Sequence, residues 1–227
     1  EIGIAPDILI CRTEKPINEE MRKKISLFCN VPLEGVIEEI DVEHSIYEVP
    51  VMLQREKLDE LVCQELGLET HPADMSNWQD VIKRIIEPQH KVRIGVIGKY
   101  IDLQDAYKSV YEAVTHAGGA NDCAVEVVRV DSEDIERDGA ATLLSELCGI
   151  LVPGGFGERG IEGKILAAQY SRENNIPYLG LCLGMQVACI EFARHALGLE
   201  EAHSAEFDPK TPHPIIALLD EQQNVTE

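Results

Sequence analysis

A cysteine framed by two glycines, Gly180-Leu181-Cys182-Leu183-Gly184, follows an apolar run from Ile176 to Leu181. Behind it, Val187, Ile190, Phe192, Ala193 and Ala196 keep helical spacing. Strand, sharp turn and helix in that order put Cys182 at the corner, where a tight turn holds a side chain exposed and strained. The N–H of Leu183 then points where an oxyanion would form. The positive end of the following helix favours thiolate over thiol. That is the setting of a nucleophile. The competing reading is a packed core thiol, because free cysteines are among the most buried residues. Cys189, on the same helix, fits that reading; the double-glycine frame sets Cys182 apart.

The elements that must hold this corner form an alternating series. Val92 to Ile97 reads as a buried strand ending at Gly98, and Asp105 caps a helix with Ala106, Val110, Val114 and Ala117 on one face, closed by Gly118-Gly119. Val125–Val130 is strand, Ala140–Leu147 helix, Ile150–Val152 strand, and a helix runs from about Ile161 to Asn174. Such alternation gives a parallel, doubly wound α/β sheet with its site at the C-terminal ends of the strands. Upstream, Pro6–Arg12 reads as a strand, and Pro16 and Asn18 open a helix through Phe28. Gly35–Ile40 is a second strand, and Arg55–Leu66 a second helix closed by Gly67. This β-α-β-α piece is too small to stand as a domain alone. Residues 68–91 read as a linker containing an amphipathic helix, Trp78–Ile86. Pro214–Leu219 reads as a strand leading into a turn at Asp220–Asn224, and both ends of the chain look cut.

The bulk composition narrows the class. At 227 residues and 44% hydrophobic the chain can bury a core, in one large domain or two small ones. A formal charge of −21 argues against nucleic acid or an anionic membrane as principal partner. The seven cysteines form no C-x-x-C pair, which fits a reducing, cytoplasmic setting rather than a disulfide framework or zinc site. No apolar run approaches the roughly 18 residues of a spanning helix. The expectation is a soluble protein.

A second signal lies one strand before the corner. Pro153-Gly154-Gly155-Phe156-Gly157-Glu158-Arg159-Gly160 is glycine-rich, but no G-x-x-x-x-G-K-[ST] phosphate loop occurs in the chain. Ends of neighbouring strands lie side by side in such a sheet, so this loop can bring a second oxyanion donor to Cys182, with Gly155 the candidate.

Pro153-Gly154-Gly155-Phe156-Gly157 followed by Gly180 to Gln186 resembles the class I glutamine amidotransferases, and the wider chain resembles their CTP synthase family. Pro6–Arg12, Leu27–Pro32, Ser45-Ile46-Tyr47, Gly98-Lys99-Tyr100, Asp105–Val110 and Glu173–Tyr178 fall in that family's order. The resemblance covers essentially the whole chain. It implies the C-terminal part of a synthase nucleotide-binding domain at 1–67, a linker at 68–91, and an incomplete amidotransferase domain at 92–227. The implied activity is amination of UTP to CTP with ATP, Mg²⁺ and glutamine-derived ammonia, with GTP as effector, CTP as inhibitor and a homotetrameric assembly. By position, Cys182 would be the glutaminase nucleophile, and Gly155 and Leu183 would donate to the oxyanion. Leu183, Gly184, Met185 and Gln186, with Glu206, would hold glutamine. Lys24 would contact the nucleotide triphosphate, and Ile40, Asp41 and Val42 would lie beside the ATP base. Without the resemblance, Lys24 in Arg22-Lys23-Lys24 and Glu206 before Phe207-Asp208-Pro209 read as solvated charges.

The chain departs from the family in two places. The family's phosphate loop and magnesium carboxylates lie upstream of anything here, so ATP and Mg²⁺ would be bound mainly by residues outside this chain, and no metal ligand is assigned. Its H-x-E pair, which moves the proton for the cysteine, is absent as well. None of His44, His71, His90, His116, His195, His203 and His213 is followed by x-Glu. His195 is expected on an outer helix face, His203 and His213 in turns, and no base is assigned. The chain reads as a central fragment, expected to be inactive alone. The alternatives are a stand-alone elbow-cysteine hydrolase of related fold and a non-catalytic assembly module.

Overall fold

The computed structural model describes residues 3, 5–69, 71–99, 101 and 103–219. Tyr100 and the turn expected at 220–224 lie outside the described residues. The chain divides into two compact units, residues 1–88 and 89–227.

In the first unit, β1 (Leu9–Thr13) pairs in parallel with β2 (Val36–Ile40), Leu9 opposite Val36. Between them runs α1 (Glu19–Cys29), started by the Asn18 side chain accepting from the Met21 N–H at 2.8 Å. It ends at Asn30 in the left-handed region, φ 53°. Arg22 ties the helix to the sheet, donating to the Val36 carbonyl at 2.9 Å and to Glu56 at 3.1 Å. The expected helix over Arg55–Leu66 is instead two helices, α2 (Val49–Arg55) and α3 (Leu58–Glu65). Lys57, at φ 60°, breaks the run; a single left-handed lysine carries no compositional mark. The helix expected at Trp78–Ile86 is α4 (Ser76–Ile86). Trp78 donates from Nε1 to the Tyr47 carbonyl at 2.8 Å and packs edge-on against its ring, so within the 68–91 stretch this helix belongs to the first unit.

The second unit is built on a parallel four-stranded sheet of β3 (His90–Gly98), β4 (Cys123–Asp131), β5 (Gly149–Val152) and β6 (Tyr178–Gly180), in the order β4-β3-β5-β6. Strand order reverses between β3 and β5, which opens a crevice at their C-terminal ends. A short 3₁₀ turn at Gln104–Tyr107 leads into α5 (Lys108–Ala120). Gly118 and Gly119 sit inside this helix rather than closing it, because a side chain at Gly118 would meet Val125 Cγ2 at 2.5 Å and the Cys123 carbonyl at 2.6 Å. Gly118 thus serves close helix–sheet packing. The helix expected at Ala140–Leu147 is shorter, α7 (Ala140–Leu144), and a preceding α6 (Ser132–Asp138) was not expected. Polar Ser132-Glu133-Asp134 carries no apolar stripe to announce it.

Helices α8 (Ile161–Glu173) and α9 (Leu183–Glu191) pack against each other and the sheet. Ile97, Val152, Ile165, Val187 and Ile190 are fully or almost fully buried between them. A π-helical turn (Phe192–Ala196) leads to a small parallel pair, β7 (Ala202–Ser204) and β8 (His213–Ile216). No helix among the described residues is long and apolar enough to cross a membrane.

An ion pair between an exposed guanidinium on α8 and a buried carboxylate on α9 links the two helices. Arg172 grips the Glu191 carboxylate with Nε at 3.0 Å and Nη2 at 2.8 Å, and Glu191 is nearly fully buried. His195 Nδ1 approaches the same carboxylate at 3.3 Å. Arg172→Met takes the cation from a buried carboxylate and is expected to lower the unfolding midpoint. Urea unfolding of the full chain checks this; an unchanged midpoint would contradict it.

Candidate active site

The corner after β6 takes the strained geometry that its glycines suggest. Cys182 adopts φ 49°, ψ −108°, a conformation outside the regions a non-glycine residue normally occupies, immediately before the first turn of α9. Its side chain is exposed. Two close approaches explain the glycine frame. A side chain at Gly184 would fall 2.0 Å from the Val152 carbonyl oxygen, and one at Gly180 would fall 2.4 Å from the Gly184 carbonyl. Strand and helix can meet this tightly only where neither carries a side chain.

Backbone hydrogen bonds fix the corner. The Leu181 N–H donates to the Val152 carbonyl at 2.9 Å, and the Met185 and Gln186 N–H groups donate to the Cys182 carbonyl at 3.0 and 3.1 Å. Tyr178 donates its hydroxyl to the Gly184 carbonyl at 2.8 Å, and burial pushes that phenol above its ordinary value. Leu183 is the first residue of α9, where an N–H has no carbonyl one turn back within the helix. That amide is available to an incoming anion.

The second loop comes to the same place. Val152 at the end of β5 lies opposite Gly180 at the end of β6, so Pro153–Gly157 leaves the sheet beside Cys182. A side-chain carbon at Gly154 would lie 3.8 Å from Cys182 Sγ, and one at Gly155 would lie 3.8 Å from Leu183 Cδ2. Lys99, just after β3, is buried and donates from Nζ to the Phe156 carbonyl, while Arg159 donates to the Lys99 carbonyl at 2.8 Å. The loop is therefore held from behind by cations.

Gln186 and Glu206 line one cavity of about 670 Å³ with Ser204, Ala205, Ile216, Ala217 and Leu218. The residues singled out from sequence around Cys182 thus fall into two groups along α9: Leu183 and Gly184 with Gly155 of the preceding loop at the corner, and Gln186 with Glu206, beyond β7, at the cavity. Met185 is half exposed on the same turn.

Two of the histidines stand differently from expectation. His203 and His213 lie in strands β7 and β8, not in turns, because the short parallel pair draws both segments into register. His203 accepts from the Ser204 N–H at 2.9 Å and lies 3.8 Å from Glu162; burial and then the Arg194 cation hold its imidazole below the ordinary value. His195 is exposed, on the π-helical turn, beside Glu191.

In the first unit, Ile40, Asp41 and Val42 line a cavity of about 400 Å³ together with Arg12, which donates to Asp41 at 2.8 Å. Lys24 is exposed and pairs with Glu20 one turn back on its own helix, at 2.6 Å.

Sequence reading passed over the buried Lys164, whose Nζ lies 3.8 Å from where a Gly155 side chain would begin. A signal was present: Ile161, Lys164, Ile165 and Ala168 follow i, i+3, i+4, i+7, placing a lysine inside an apolar stripe.

Residues 102–223 match the family model "Glutamine amidotransferase class-I", and residues 1–68 match "CTP synthase N-terminus". The chain is 54% identical over 226 residues to a CTP synthase of Caldanaerobacter subterraneus subsp. tengcongensis, covering 100% of this chain and 42% of that protein. A CTP synthase of Clostridium perfringens is 50% identical with the same coverage. Among solved structures, the glutaminase domain of Trypanosoma brucei CTPS with bound acivicin is similar, with a TM-score of 0.56 and 42% identity, covering 59% of this chain and 52% of that one. The chain thus spans 42% of the length of the curated relatives it matches.

Proposed function

This chain belongs to the class I glutamine amidotransferase family and is similar to CTP synthases along its whole length, and on that premise we propose that it takes part in making CTP from UTP with ammonia released from glutamine. The observation that carries the reading is the strained Cys182 at the head of α9, with Gly154 packed against it and Gly155 beside Leu183.

In this reading the Cys182 thiolate attacks the side-chain amide carbon of glutamine. The carbonyl electron pair moves to oxygen, and the Leu183 and Gly155 N–H groups receive the oxyanion. Collapse expels ammonia once the leaving nitrogen has gained a proton, and leaves a γ-glutamyl thioester on Sγ. Water then releases glutamate and restores the thiol. Gln186 and Glu206 hold the amino-acid end of glutamine in the cavity they share; Glu206 suits the ammonium group by charge. Glu206→Gln is accordingly expected to raise the KM for glutamine roughly tenfold with kcat less affected. An unchanged KM would remove Glu206 from the site.

Ile40, Asp41 and Val42 would hold the base end of ATP, since their cavity has room for a purine ring. ATP, when bound, supplies the activation of the uracil carbonyl. Among the described residues no group of three or more His, Cys, Asp or Glu side chains gathers as a metal site; Mg²⁺ would be carried by the nucleotide phosphates and mainly by residues outside this chain. GTP as effector, CTP as inhibitor and tetrameric assembly belong to the same proposal.

The test is CTP formation by the full-length protein supplied with UTP, ATP, Mg²⁺ and glutamine, followed by ultraviolet absorbance alongside ammonia release. Both products are expected. Ammonia without CTP would favour a hydrolase of related fold, and neither product would favour an assembly role.

A further inference from the structure

Lys164 is the largest fully buried side chain among the described residues, 1% exposed, and its Nζ makes no hydrogen bond among them. It stands in the first turns of α8 and leans toward the helix N-terminus, as helical side chains do. There its ammonium comes behind Gly155. Packing alone does not explain the choice. A methionine would fill the same volume without burying a charge, and the positive end of α8 opposes a cation.

The charged groups around it are set by four elements. Lys99 follows β3, Asp131 ends β4, and Arg159 comes from the glycine-rich loop. From α6, Glu133 pairs with Arg159 at 3.3 Å, and the Glu136 carboxylate accepts the Gly163 N–H at 2.8 Å. The side facing α9 is apolar Leu183. Burial, and then Lys99, push Lys164 down to about 8, while Asp131 acts the other way.

We propose that Lys164 is a positioning residue for Cys182: its ammonium, set beside Gly155 of the Pro153–Gly157 loop, supplies the positive charge that favours anions at the nucleophile. The inference rests on the amidotransferase reading of Cys182. A buried charge of this kind at a site, kept at a cost to stability, is what tuning of an ionisable nucleophile requires. Because the ammonium loses its proton near pH 8, its influence is present below that pH and fades above it.

The test is the rate of Cys182 alkylation by iodoacetamide in the full chain, read by peptide mass spectrometry from below to above pH 8, with Cys189 as internal reference. K164M is expected to slow Cys182 roughly three- to tenfold at neutral pH, with the difference closing above pH 8. K164R should restore the rate and keep its advantage above pH 8, since guanidinium does not titrate there. K164Q, polar but uncharged, should behave as K164M. A K164M or K164Q rate equal to wild type below pH 8 would overturn the inference alone. Equal reactivity of Cys182 and Cys189 in the wild type would overturn the amidotransferase reading and the inference with it.

Stability gives an independent reading. The unfolded chain keeps the Lys164 proton up to the ordinary value of 10.5, so between about 8 and 10.5 it binds more protons than the folded form, and this residue's contribution to stability rises with pH. K164M should melt no lower than wild type below pH 8 and should lack that rise; a melt well below wild type would assign Lys164 to packing.

Discussion

Cys182→Ala in the full-length protein is expected to lower ammonia release from glutamine by about 10⁴-fold or more, because it removes the atom proposed to form the thioester. CTP formation from supplied ammonia should survive, since that step does not use the thiol. The fold should survive too: Cys182 is exposed, and its side chain enters no core cluster. A paired variant isolates the strain. At φ 49° and ψ −108° a side chain costs about 1–3 kcal/mol, and glycine escapes most of it while loosening the unfolded chain by less. Cys182→Gly should therefore be as inactive as Cys182→Ala and melt at or above it. Glutamine hydrolysis retained in either variant would remove Cys182 from the chemistry. A Cys182→Gly melt well below that of Cys182→Ala would remove the strain argument.

Gly184→Ala is expected to be the most disruptive single methyl in the site. The new carbon would lie 2.0 Å from the Val152 oxygen and 2.9 Å from its carbonyl carbon, and these are backbone atoms. They cannot retreat cheaply, because the same carbonyl accepts from the Leu181 N–H and pairs β5 with β6. The cost should reach or exceed the upper end of the about 1–3 kcal/mol typical of overpacking. For a chain of this size that lowers the melting temperature by about 2–4 °C per kcal/mol. Gly155→Ala is the contrast, since its new carbon meets only ordinary contacts at 3.8 Å; it should fold like wild type. A Gly184→Ala melting temperature equal to that of Gly155→Ala would contradict the packing account.

What the sequence disclosed divides along physical lines. The corner was legible because two features coincide in five residues: space for a strand–helix contact at Gly180 and Gly184, and a cysteine between them. The alternation of β3, β4, β5 and β6 with their helices was legible from apolar periodicity. The break at Lys57 was not, because a left-handed lysine is set by its surroundings and not by its type. The role of Gly118 was misread for a related reason: a glycine that ends a helix and one that lets a sheet approach look alike in sequence. Lys164 was visible as a cation in an apolar stripe, yet its meaning needs the loop from β5, which only the fold brings behind it. Gln186 and Glu206 share a cavity that no local pattern announces, since β7 and the β7–β8 turn have to return to α9 first.

The measurement that tests the central claim most directly is site-resolved labelling of the full-length protein with an electrophilic glutamine analogue, at a concentration where glutamine competes. All seven cysteines are unpaired and Cys29, Cys148 and Cys189 are exposed like Cys182, so the reagent has a real choice. Labelling confined to Cys182, and suppressed by glutamine, is the predicted result. Labelling spread over the exposed cysteines and indifferent to glutamine would contradict the account.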